Sequence, residues 1–164
     1  MKKAASLGIS AFLTGSIASA ISSLALAALA TAEGHSAAQP TNATSHWLYG
    51  DQVAQRRTVD LAHTGVGYGT HHASAVFWAL PLEMWLRADP PQSTGDLMGR
   101  AAAVSALAAV VDYGVTPKRF TPGWEHVLSR TSMMGAFASL AFGLAAGAAV
   151  TNAVGKLRGN DRPH

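Results

Sequence analysis

The chain is 164 residues long, 49% hydrophobic and only 13% charged, a balance too apolar for an ordinary soluble domain and one that points to a single membrane domain over residues 1–164. It contains no cysteine, which excludes disulfide frameworks, cysteine-ligated zinc, iron–sulfur clusters and thiol catalysis. The net charge of +3 comes from Lys and Arg scattered between apolar runs rather than from a dense basic face, so the expected partner is a lipid bilayer and not nucleic acid.

Four apolar segments follow in chain order. From about Ala4 to Ala32 no residue is charged, a run longer than the ~20 residues that cross a hydrocarbon core about 30 Å thick. Lys2 and Lys3 before it and Ala30-Thr31-Ala32 behind it also resemble a signal peptide's basic start and cleavage site. The run greatly exceeds the usual apolar region of about 7–15 residues, so a retained anchor is expected over cleavage. Residues 33–60 are polar, with Pro40 and the charges Asp51, Arg56, Arg57 and Asp60; they are expected outside the bilayer, with Trp47 and Tyr49 resting at its interface. Asn42-Ala43-Thr44 matches a glycosylation sequon and is read as a chance match.

A second span is expected over residues 61–86, ended by Arg87 and Asp89-Pro90-Pro91. Pro81 should kink it, because the Phe77 carbonyl loses its helical donor. The third span, residues 97–115, is short, carries Arg100 and Asp112 near its ends, and depends on its neighbours. In the turn-rich connection after it, Thr121 is expected to cap a short helix with Pro122 at its first position. The fourth span, residues 131–154, is charge-free and precedes a polar tail, residues 155–164. The fold class expected is therefore all-α, an integral membrane bundle of about four transmembrane helices.

With both termini inside, the cytoplasmic side holds Lys2, Lys3, Arg87, Arg100, Lys156, Arg158 and Arg162, against Arg56, Arg57, Lys118, Arg119 and Arg130 outside. The positive-inside rule favours that orientation, in an inner membrane of bacterial type. Small residues recur every fourth position: Ala11, Gly15, Ser19, Ser23 and Ala27 in the first span, Ala101, Ser105 and Ala109 in the third, and Gly135, Ser139, Gly143, Gly147, Thr151 and Gly155 in the fourth. Such stripes let helix backbones approach closely, within one chain or between two copies of a homo-oligomer.

Binding or transport candidates are the polar residues that a bilayer makes expensive: His71, His72, Glu83 and Asp112. Helical periodicity groups His72 and Glu83 with Gly65, Gly69 and Val76, a face expected to point into the bundle, and sends His71 to another face with Gly67, Ser74, Trp78 and Trp85. The bland reading of each histidine is a neutral imidazole bonded to a neighbouring helix; the functional readings are proton relay, metal ligand or haem ligand. Glu83 stands four residues before Arg87, in the favourable order for a helical ion pair. Asp112 is placed to pair with Lys118 or Arg119, or to join His63 and His126 as donors for zinc or another divalent metal. No catalytic residue is assigned: there is no Gly-x-Ser-x-Gly elbow, and Gly65-Val66-Gly67-Tyr68-Gly69 lacks the downstream Lys-Ser/Thr of a phosphate loop.

Ser45-His46-Trp47-Leu48-Tyr49-Gly50-Asp51, His71-His72-Ala73-Ser74-Ala75-Val76-Phe77-Trp78-Ala79 and Asp112-Tyr113-Gly114-Val115-Thr116-Pro117-Lys118-Arg119 resemble segments of small multi-span bacterial inner-membrane proteins of unknown function. The likeness covers roughly residues 44–145 and implies a multi-span membrane protein with no functional residues to carry over. The function expected is that of a non-enzymatic, accessory or envelope-associated helical bundle. A second reading is a small transporter or proton and ion conductor using His72 and Glu83. A third is a haem- or metal-binding redox subunit resting on His63, His71, His72 and His126. No cofactor is called for by the leading reading.

Overall fold

Long apolar runs leave the backbone one local way to satisfy its own polar groups, and among the described residues all regular structure is helical. The computed structural model describes residues 2–160, with side chains for residues 7–154. The long helices are α1 (Lys2–Ala32), α4 (Val66–Ala88), α5 (Thr94–Val110) and α6 (Arg130–Asn160); two short ones, α2 (Gln39–Ala43) and α3 (His46–Tyr49), lie between α1 and α4. A π-turn, Leu61–Gly65, leads into α4, and another, Val111–Val115, extends α5.

Three stretches are long and apolar enough to cross a membrane: Leu7–Ala32, Thr94–Val115 and Arg130–Val154. The sequence made the third of its four spans the weakest; the structure instead singles out the second. At 23 residues α4 has the length, but it falls outside the apolar set. Its two histidines, Glu83 and Arg87 lower its hydropathy, and it buries two of those groups, His71 and Glu83, against its neighbours.

The long helices alternate in direction, each packing on the next, with α6 returning to α1. The α1–α6 contact is the most extensive. A Cβ added to Gly143 would lie 2.7 Å from the Cα of Ala18, and one on Gly147 would lie 2.6 Å from the Thr14 carbonyl oxygen. On its other side α1 meets α4, where a Cβ on Gly15 would overlap the backbone of Val76. Gly15, Gly143 and Gly147 of the small-residue stripes are thus used inside the chain. Gly155, the tail and the terminal lysines and arginines of the orientation count lie outside the residues whose side chains are described. Both described ends of the chain and the α4–α5 turn fall at one end of the bundle. Residues 33–65 and 111–129 lie at the other.

At the turn end, Ser93 caps α5 by accepting from the Asp96 amide, and the largely buried Arg100 bonds Asp89 and Asp96 while stacking over Trp85. The opposite end carries a folded cap where only a polar interfacial segment was expected. Gln39, Asn42, Thr44, Ser45 and His46 are all buried in it. The Asn42 amide donates to the carbonyls of Arg56 and Thr58 and accepts from Thr64, which gives the sequon match a structural role in place of an accessible one. Asp60 accepts from the His63 amide and also pairs with Arg56, and these bonds hold its carboxyl well below the usual carboxylate range. Gly67 lets α4 touch the cap, since any Cβ there would overlap the Thr41 carbonyl. Gly123 has φ +79°, a conformation that favours glycine, and its own missing Cβ makes room for the Ala43 carbonyl. Here the sequence reading needs correcting: Thr121 does not cap a helix, because its hydroxyl bonds Lys118 and Glu125 and only a 3-10 turn, Trp124–His126, follows.

One side chain ties the two most apolar helices together. Glu33, just past α1, accepts from the Ser129 amide at 2.9 Å and from the hydroxyls of Ser129 and Ser132 at 2.5 Å each, at the positive start of α6. These donors, Ser129 foremost, lower the Glu33 carboxyl from 4.5 to about 2. A depressed folded value means that the ionised form favours folding, so its contribution is present above pH 4.5 and fades as pH falls toward about 2. Thermal unfolding in detergent should therefore show wild-type stability dropping through this window, and Glu33→Gln should flatten that part of the profile while lowering stability at neutral pH. A second expectation concerns the helix contact. Gly143→Leu and Gly147→Leu should each destabilise by about 1–3 kcal/mol through overpacking. Gly99→Leu, facing open space, should be near neutral in the same assay.

Candidate functional site

The face of α4 that turns inward is Gly67, His71, Ala75, Trp78, Ala79, Leu82, Glu83 and Leu86. This corrects the helical-wheel reading. Gly65 and Gly69 are exposed, and His72 sits half-buried at the side, edge-on to Phe12 and stacked on Tyr68. Placing Trp78, Leu82 and Leu86 in the core removes far more apolar surface than any glycine stripe, so the large side chains set the rotation of the helix. His71 and Glu83 are the polar groups carried in with them.

Glu83 accepts from Thr14 at 2.6 Å, and Thr14 also lies 3.2 Å from the Thr151 hydroxyl, so α1, α4 and α6 meet at this carboxylate. Arg87 reaches Ser10 of α1 rather than forming the helical pair with Glu83 that the spacing suggested. One end of the bundle higher, Ser22 donates to the Ala18 carbonyl at 2.8 Å, so it accepts from Nε2–H of His71 at 2.9 Å. That bond fixes the neutral tautomer and leaves Nδ1 as an acceptor.

His71 also lines a cavity of about 320 Å³ between the bundle and its cap. Its walls are aromatic: Trp47, Trp78, Phe120, Trp124 and Phe137. The polar lining comprises Thr44, Thr70, His71, Ser74, Asp112 and Thr121. Trp124 holds the cavity's inner corner, 5.7 Å edge-on from His71 and 5.5 Å from Phe137, ring centre to ring centre.

The donors around this space are turned away from it. The indole N–H of Trp47 donates to Thr70, and that of Trp124 to Thr44, each at 3.1 Å. Those threonines in turn donate to the carbonyls of Val66 and Pro40, while Thr121 donates to Lys118 and Glu125. Ser74 and the indole N–H of Trp78 apart, the side-chain donors that line the cavity are committed to other groups. What remains is aromatic surface and acceptors, chiefly Asp112, whose carboxylate has no hydrogen-bond or ion-pair partner among the described residues. The expected pairing of Asp112 with Lys118 or Arg119 is not made; Arg119 donates instead to the Trp47 carbonyl.

The metal trio suggested by the sequence, His63, Asp112 and His126, is not brought together. His63 bonds Asp60 within its own turn. His126 faces His46 and Asp51 instead, in a recess beside the cavity. His46, Asp51 and the five aromatic residues were missed as site residues. His46 and Asp51 stand five apart in a polar segment, a readable signal, but their partner His126 lies in another connection and only the fold brings it near. No family model, curated protein or solved structure matches the chain, so the chemistry of the site is read from its own geometry.

Proposed function

We propose that the protein is a four-span, non-enzymatic protein of the bacterial inner membrane that binds a small amphipathic organic cation, an alkyl- or arylammonium, in the aromatic cavity beneath its cap. The observation that carries this reading is the cavity's polarity: π-rich walls and an unpartnered carboxylate, with most of the neighbouring side-chain donors committed elsewhere. An anion would find few donors there. A neutral apolar molecule would leave Asp112 unpaired. A cation with an apolar body meets both requirements, and cation–π contact adds about 0.5–2 kcal/mol per favourable ring.

Four spans are supported by the alternating packing of α1, α4, α5 and α6, in which α4 turns His71 and Glu83 toward its neighbours and not toward lipid. Ser22 and Thr14 supply partners for those two groups, which supports α1 as a permanent member of the bundle. The greater number of basic residues in the sequence that precedes, follows or turns between the helices at the end where α1 begins and α6 finishes supports placing that end in the cytoplasm and the cap outside.

Three of the chain's four tryptophans line the cavity, so intrinsic fluorescence in detergent or nanodiscs reports its occupancy. Benzyltrimethylammonium should quench it saturably, and neopentylbenzene, its uncharged isostere, should bind more weakly. Asp112→Asn should weaken the cation by about tenfold, ~1.4 kcal/mol, and erase the preference over the isostere. Equal binding of the two probes to the wild type, or an unchanged affinity in Asp112→Asn, would defeat the proposal.

A further inference from the structure

His46 is held in the cap with its side chain almost fully buried, and its Nε2 stands 2.9 Å from the Thr121 carbonyl oxygen. A carbonyl can only accept, so Nε2 carries a proton and Nδ1 is turned the other way. Nδ1 faces Asp51, 3.0 Å from Oδ1. Either a proton or a metal ion held between these two atoms satisfies both. A third possible ligand atom converges on the same oxygen: His126 Nε2 lies 3.7 Å from Asp51 Oδ1, with its ring edge-on to His46 at 5.4 Å between centres. One ligand atom from each of the three residues falls within 4.8 Å of the other two.

We infer that His46, Asp51 and His126 form a binding site for a divalent transition metal of the zinc type. Around a tetrahedral ion with bonds of about 2.0–2.2 Å, donor atoms stand roughly 3.3–3.6 Å apart. The two distances to Asp51, 3.0 and 3.7 Å, bracket that range, and rotations of the exposed Asp51 and the partly exposed His126 bring the three ligand atoms, all within 4.8 Å of one another, onto one ion. Two imidazoles and one carboxylate favour zinc and its neighbours over magnesium or calcium, which prefer oxygen ligands throughout. The Thr121 carbonyl fixes the tautomer and orientation of His46, the outer support that metal-bound histidines regularly have. A fourth position is left toward the recess.

The ligands come from both connections that make the cap: His46 and Asp51 from the one joining α1 to α4, and His126 from the one joining α5 to α6. A bound ion therefore braces the cap as a unit. Trp47 follows His46 directly, and Thr121 holds His46 while lining the aromatic cavity, so the brace forms part of that cavity's roof. The inference does not depend on what the cavity binds.

The test uses the full chain in detergent, without a polyhistidine tag, stripped with chelator and titrated with zinc chloride by calorimetry, with metal content measured after dialysis. The expected result is a single bound equivalent, a higher unfolding temperature with zinc, and no such effect of magnesium. Asp51→Asn and His126→Ala, both at accessible positions, should each weaken zinc at least roughly tenfold and remove the thermal shift. His63→Ala, whose imidazole is bonded to Asp60, should leave both unchanged. Absence of stoichiometric zinc would overturn the site and identify the His46–Asp51 contact as an imidazolium–carboxylate pair. Zinc binding that survives both ligand substitutions would overturn it too.

Discussion

Everything in this molecule depends on how closely α1 approaches its two neighbours. Between apolar helices in a bilayer there is no hydrophobic driving force, and cohesion comes from van der Waals contact and hydrogen bonds. Contact of that kind needs backbones nearly touching, which Gly15 provides against α4, and Gly143 and Gly147 against α6. The same approach lets short side chains on α1 act as hydrogen-bond partners. Thr14 reaches Glu83 and Ser22 reaches His71 because nothing larger separates the helices. A wider spacing would leave both ionisable groups without partners in the core, each at a cost of several kcal/mol.

The cap solves a different problem. Helix ends expose backbone amides and carbonyls, and two long connections must be folded over the bundle without leaving them unpaired. Gln39, Asn42, Ser36 and Glu33 satisfy such groups across chain separations of 3 to 96 residues. Glu33 does so at the start of α6, where its charge also opposes the positive end of the helix. The connections become a layer with its own buried side chains, including Val53, Ala54 and Trp124. That layer can close over a cavity because it is fixed at several points along its length.

Much of the frame was legible in the residues. Charge-free length placed α1 and α6, and Asp89-Pro90-Pro91 placed the turn between α4 and α5. The rotation of α4 was not legible, because small residues and bulky aromatic ones made competing claims on the core and only packing decides between them. A helical wheel weights Gly65 and Trp78 by position alone; burial weights them by area, and Trp78 wins. The cap was hidden for another reason. Its composition reads as a polar loop, and its order comes from side-chain bonds such as Trp124 to Thr44 and His46 to Thr121, between residues 80 and 75 positions apart.

The selectivity proposed for the cavity follows from this same economy of hydrogen bonds. Thr44, Thr70 and Ser22 each donate to a carbonyl one helical turn back, as hydroxyls on helices readily do. Having done so they can only accept, and what they accept are the N–H groups of Trp124, Trp47 and His71. Each pairing commits a donor, and the carboxylate of Asp112 takes part in none of them. Asp112 completes the trend because Arg119, one of the partners its sequence spacing suggested, is directed to the Trp47 carbonyl. The character of the cavity is thus a by-product of how its walls are secured: the same bonds that fix its threonines and tryptophans leave the Asp112 acceptor open, and the proposed cation is the ligand that would pair with it.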